Sequence, residues 1–114
     1  MEVSDLSYSI KGTEITLTRG DTLRALITIY DSEGNPFTPS EGDEIRFAAK
    51  RNYSSSEVVI NKEIPINTLL LQLDPEDTKP LSFKPYVYDI QYTHSNGDID
   101  TFIKGILNIT EEVE

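Results

Sequence analysis

Apolar and polar residues alternate with a period of two along most of this chain, most cleanly between Pro85 and Gly105. Tyr86, Tyr88, Ile90 and Tyr92 fall on one face of an extended segment, and Val87, Asp89, Gln91 and Thr93 fall on the other, which is the pattern of a half-buried strand. His94-Ser95-Asn96-Gly97 then turns the chain, because Asn-Gly accepts the positive φ that hairpin turns need. The return strand is expected from Asp98 to Lys104, stopped by Gly105, and a last strand from Ile106 to Thr110.

The same alternation places short strands at Leu6 to Ile10 and Thr13 to Thr18, around Lys11-Gly12, with residues 1–12 a possible N-terminal arm. Arg19-Gly20-Asp21 marks a bend where the chain changes sheet. Thr22 to Tyr30 turns Leu23, Ala25, Ile27 and Ile29 inward, and the run from Asp31 to Pro36 is a loop of turn formers. Asp43 to Lys50 resumes with Ile45, Phe47 and Ala49 inward. Glu57 to Ile64 follows with Val58 and Ile60 on one face, and Asn67 to Leu73 carries Leu69, Leu71 and Leu73. Asp74-Pro75-Glu76-Asp77-Thr78 reads as one helical turn, with Asp74 as N-cap and Pro75 at the first helical position. Leu81 and Phe83 are expected to plug the corner beneath it. Glu111 to Glu114 is a charged tail.

Seven to eight short strands, one helical turn near 74–79 and no long helical period describe an all-β, antiparallel sandwich or a small barrel, and the β-sandwich is the expected form, a single domain over residues 1–114. A helical turn before a strand with closely spaced tyrosines resembles the corner of immunoglobulin-type folds, in which a Tyr hydroxyl bonds to upstream backbone; Tyr86 or Tyr88 takes that role. With no Cys and no Trp, the domain is immunoglobulin-like in shape only.

Twenty acidic residues against ten basic ones give a formal charge of −10, which repels phosphate backbones and anionic membrane surfaces. Neither nucleic acid nor membrane is therefore expected as a partner. Met1 to Asp5 lacks the basic start and apolar stretch of a leader, and no run reaches a membrane span of about 20 apolar residues. Synthesis and folding in the bacterial cytoplasm are the expectation.

The inventory for chemistry is thin, and no catalytic, cofactor-binding or metal-ligating residue is assigned. His94 sits in the hairpin turn, as an exposed residue rather than part of a Ser-His-Asp arrangement. Asp98 and Asp100, with Asp89 on the partner strand, are the candidate carboxylates for a cation or an acid pair; as outward positions alternating with Ile99 and Thr101 they read first as a solvated face. Asp31 to Pro36 fails the spacing of a calcium loop, and Arg19-Gly20-Asp21 reads as a bend rather than an integrin motif. Among Tyr8, Tyr30, Tyr53, Tyr86, Tyr88 and Tyr92, the three on the hairpin's inward face point to core packing, while an exposed cluster would suit sugar or protein.

Several segments in their order resemble small prophage-encoded proteins: Thr18 to Thr22, Asp31 to Pro36, Glu41-Gly42-Asp43 with Ile45 and Phe47, Asp77-Thr78, Tyr86 to Ile90, and Asn96-Gly97-Asp98 through Thr101. They are similar to the N-terminal immunoglobulin-like domain of phage baseplate upper proteins, over about Ile15 to Glu112. The resemblance implies a virion structural protein of the tail or baseplate, acting through protein-protein contacts with other virion or tail proteins as a homo-oligomer. It lends no catalytic residues. The alternative is a stand-alone immunoglobulin-like adhesion or carbohydrate-binding module, and a hydrolase using Asp98 or Asp100 ranks last. The Thr- and Ser-rich segment before Arg19 is the expected arm for a neighbouring chain.

Overall fold

The computed structural model describes residues 8–31 and 33–111. The expected arm is described only from Tyr8 onward, and the expected tail, Glu111 apart, lies outside the described residues. The chain forms β1 (Tyr8–Lys11), β2 (Glu14–Thr18), β3 (Leu23–Leu26), β4 (Glu44–Lys50), β5 (Val58–Ile64), β6 (Leu70–Leu73), α1 (Pro75–Thr78), β7 (Pro85–Thr93) and β8 (Ile99–Thr110). Six strands make one sheet in the order β1-β2-β8-β7-β4-β5, and β3 and β6 pair in a second. This is an all-β, two-sheet architecture, as the alternation requires.

The sheets are not wholly antiparallel. β2 runs parallel to β8, with Ile15 beside Leu107 and Leu17 beside Ile109. The physical reason is the crossover at Arg19-Gly20-Asp21. Parallel neighbours need a connection that leaves the sheet and returns, and here the chain passes from β2 to β3 in the other sheet. Gly20 takes φ 83°, which suits glycine, and its N–H donates to Thr78 Oγ1 at 2.8 Å. Thr78 is fully buried, so this bond ties the crossover to the helical turn.

β3 is shorter than the alternation suggests. Ile27 and Ile29 remain buried at 4% and 7% exposure, but beyond Leu26 the segment makes only point contacts. Ile27 N donates to Leu69 O at 2.9 Å, Phe37 N donates to Ile29 O at 2.8 Å, and Tyr30 bridges Pro36. Its partner strand begins only at Leu70, because Leu69 adopts φ 54°. α1 starts as expected: Asp77 accepts from the Asp74 backbone N–H at 2.7 Å, and Lys62 Nζ lies 3.1 and 3.0 Å from the Asp74 and Asp77 carboxylates. Asp77 above all raises the Lys62 pKa, while hydrogen bonds from Gln72 and then Lys62 lower that of Asp74.

Two register shifts change which residues face inward. The first, between Ala49 and Lys50, sets Ala49 opposite Ile60 but Lys50 opposite Val58. Val58 and Ile60 therefore part company: Ile60 is buried, and Val58 stands 42% exposed. The second lies between Ile90 and Gln91, where β8 contributes the extra residue Phe102. From Ile103 onward β8 presents its odd-numbered residues to the core; before Phe102 the phase is reversed.

The buried set joins Ile15, Leu17, Leu23, Ile45, Phe47, Ile64, Leu71, Leu73, Tyr86, Tyr88, Ile90 and Leu107. Leu81 plugs the corner at 6% exposure, but Phe83 does not: it is 44% exposed, and the Arg19 guanidinium lies over its ring at 4.3 Å. Gly105 does not stop the return strand either. β8 runs unbroken to Thr110, and Gly105 sits opposite Tyr88, where an added Cβ would lie 2.3 Å from Thr13 O and 2.9 Å from the Tyr88 ring.

Both expected corner tyrosines bond to backbone. Tyr86 Oη donates to Ser82 O at 3.0 Å, and Tyr88 Oη donates to Thr13 O. Burial pushes the Tyr88 phenol up to about 12 from an ordinary 10.0, and burial together with the Asp43 carboxylate does the same for Tyr92. The fold thus favours the neutral phenols. Their contribution is whole below the unfolded pKa near 10.0 and is lost as pH rises toward about 12. Urea midpoints should stay level up to about pH 9 and then fall, with Tyr88 responsible for on the order of 2 kcal/mol. Tyr88→Phe should flatten that alkaline limb while lowering stability at neutral pH. A midpoint unchanged to pH 12 would contradict this reading.

Candidate functional site

The hairpin register decides what the candidate carboxylates can do. Asp89 pairs with Lys104, whereas Asp100 pairs with Tyr92, three positions along β7. At about 3.3 Å per residue that separates the two acids by roughly 10 Å, so Asp89 does not join Asp98 and Asp100. Asp98 lies in the turn, where its backbone N–H donates to Asn96 Oδ1 at 2.9 Å. Among the described residues no group of three or more His, Cys, Asp or Glu is placed to hold a metal ion.

Asp100 also departs from its expected outward orientation. Ahead of the Phe102 bulge it shares the face of its partner Tyr92, while Ile99 points outward at 60% exposure. Its Oδ2 lies 2.8 Å from His94 Nε2, so the histidine is half-exposed and paired rather than a free turn residue. The His94 ring packs 4.7 Å from Tyr92. Tyr92 Oη in turn donates to Asp43, and that bond is the first reason the Asp43 pKa is lowered. Among the described residues no serine hydroxyl bonds His94: Ser95 meets Asp43 through its backbone N–H at 3.0 Å.

Other sequence candidates are absorbed by the fold. Asp31 Oδ1 accepts from Glu33 N and Asn35 N, each at 2.9 Å, which makes a turn of the segment. Arg19 donates to Leu81 O at 3.3 Å besides covering Phe83, so Arg-Gly-Asp is engaged in holding the corner. Tyr86, Tyr88 and Tyr92 are core, while Tyr30 and Tyr53 are 61% and 68% exposed.

Two concavities stand out among the described residues. The first, of about 310 Å³, lies on the outer face of the six-stranded sheet, over β5, β4 and β7. Its floor is low because Ala48 sits between Asn61 and Asp89. Arg46 donates to Asn61 Oδ1 at 2.8 Å on one side, and Lys50, Tyr53, Val58 and Val87 form the rest. Charges of both signs stand on this face: Glu44 lies 3.5 Å from Arg46, Glu63 is opposite Arg46 in register, and Lys104 stands next to Asp89. The second, also of about 310 Å³, opens at the end of the sandwich among Tyr30, Phe37, Tyr92, His94, Asp100 and Phe102. Sequence reasoning missed both. The available signal for the second was that two aromatics, Tyr30 and Phe37, bracket the turn formers from Asp31 to Pro36.

Among the described residues no helix is long and apolar enough to cross a membrane. Comparison with protein-family models, curated proteins and solved structures finds no match to this chain.

Proposed function

We propose that this protein is a structural component of a phage or prophage tail or baseplate, an immunoglobulin-like sandwich that works through protein-protein contacts in a homo-oligomer. The observation that carries it is the outer face of the six-stranded sheet. Val58, Ile99 and Ile106 stand there 42%, 60% and 43% exposed, flanked by Arg46, Lys50, Asp89 and Lys104. Apolar residues and an exposed aromatic, Tyr53, among charges of both signs make the composition of a contact surface. The ordered segments from Thr18 to Thr101 support the phage origin, and the Tyr86 hydroxyl on the Ser82 carbonyl supports the immunoglobulin-like topology.

Light scattering coupled to size exclusion, over a range of concentrations, is expected to return a discrete oligomer that Ile106→Glu dissociates while the strand signal in circular dichroism persists. Particles from a lysogen encoding the chain are expected to contain it by mass spectrometry. A strict monomer together with its absence from purified particles would overturn the reading. The second reading, a carbohydrate-binding module, is favoured by Tyr53 standing exposed beside the outer hollow and predicts binding on a glycan array that Tyr53→Ala abolishes.

A further inference from the structure

The cavity at the open end of the sandwich has a chemistry of its own. Phe37 meets Tyr92 edge to face, with ring centroids 5.7 Å apart and planes at 67°, so the two rings form adjoining walls of a corner. Tyr30 and Phe102 add aromatic surface, and Asp31 and Asp100 supply carboxylates. Among the described residues neither lysine nor arginine lines the cavity. Tyr30 and Phe37 remain 61% and 36% exposed, leaving aromatic surface that a bound group would desolvate.

The carboxylates are held in place yet not exhausted. Asp31 uses Oδ1 for two backbone N–H groups, and Asp100 uses Oδ2 for His94. The second oxygen of each has no hydrogen-bond partner among the described residues. Aromatic faces carry the negative end of the ring quadrupole and attract cations, most strongly where water is displaced. Rings at an angle together with two carboxylates, of which Asp100 is already paired with the cavity's His94 at 2.8 Å, favour a positive charge with apolar substituents over an anion or a neutral polar ring. A cavity of about 310 Å³ admits a small head group on a short stem.

We propose that this end of the sandwich binds an organic ammonium group, with Tyr30, Phe37, Tyr92 and Phe102 as the aromatic walls and Asp31 and Asp100 as the counter-charge. The same chemistry is offered by a free quaternary ammonium compound and by a lysine side chain of a protein partner. The site lies apart from the outer sheet face, so it stands or falls independently of the tail role.

The test is a titration followed by amide and aromatic NMR shifts, using choline, N-acetyl-lysine methylamide, the neutral choline isostere 3,3-dimethylbutan-1-ol, and glucose, at constant ionic strength. Choline or the lysine derivative is expected to shift Phe37, His94 and Phe102 saturably, with the neutral isostere about tenfold weaker or more; whichever cation binds more tightly identifies the source. Tyr30→Ala and Asp100→Asn, one removing a ring outside the core and the other a charge, are each expected to weaken the better cation about tenfold with the rest of the spectrum unchanged. Equal binding of the isostere, shifts with glucose alone, or no saturable shift with either cation would overturn the proposal.

Discussion

Phe47→Ala is expected to lower the unfolding free energy by about 3 to 5 kcal/mol, measured as a shift in denaturant midpoint at constant slope. Phe47 is completely buried and stacks on Tyr88 with centroids 4.9 Å apart and planes 27° from parallel. What decides the magnitude is how far the surroundings can collapse into the void. Tyr88 is the neighbour best placed to move, and its hydroxyl is fastened to Thr13 O across the sheet, so the cavity should persist. Phe47→Leu keeps most of the volume and should cost about 1 kcal/mol. A Phe47→Ala variant within 1 kcal/mol of the parent would show that Tyr88 is not held as its hydrogen bond implies.

Gly105→Ala should destabilise by about 2 to 3 kcal/mol, although replacing a strand glycine with alanine normally helps. The backbone at Gly105 has no positive φ to explain the residue; the explanation is space. The Tyr88 side chain passes over Gly105 to reach the Thr13 carbonyl, and a methyl group would lie 2.3 Å from that backbone oxygen and 2.9 Å from the Tyr88 Cε2 and Oη atoms. A side chain can swing aside, whereas the turn carrying Thr13 is fixed between β1 and β2. Combining Gly105→Ala with Tyr88→Phe tests the coupling: if the clash acts partly through the phenol, the double variant should lose less than the two single losses added together. Simple additivity would place the whole conflict at Thr13.

The alternation made much of this fold legible in the sequence. Inward positions on β4 and β7 are read correctly because both strands are sandwiched between paired neighbours and cannot slip a residue without turning Phe47 or Tyr88 to solvent. The bend at Gly20, the helical turn at Pro75 and the hydroxyl of Tyr86 were also visible, since each depends on local chemistry. The stretch from Ile99 to Gly105 was harder. Apolar residues occupy both phases there, Ile99 and Ile103 in one and Phe102 in the other, so local sequence does not choose between them. The bulge does, and it is fixed by how β8 closes against β7. That shift carried Asp100 to the cavity side and Ile99 outward, so an acid whose side chain is still 70% exposed, as a solvated residue should be, belongs to the candidate site. Phe83 misled for a different reason: a large apolar residue near a corner is normally covered by the core, and here an arginine from another segment covers it.

The parallel pairing of β2 with β8 also sets how the domain bears load. Tension applied on the N-terminal side of β2 and the C-terminal side of β8 pulls the two strands past one another. All four registered pairs, from Ile15 beside Leu107 to Thr18 beside Thr110, are then strained together. The antiparallel pair of β1 and β2 responds differently, opening one bond after another from Tyr8 like a zipper. Stretched along the chain, the domain gives up β1 at low force and then locks in shear between β2 and β8 of its larger sheet.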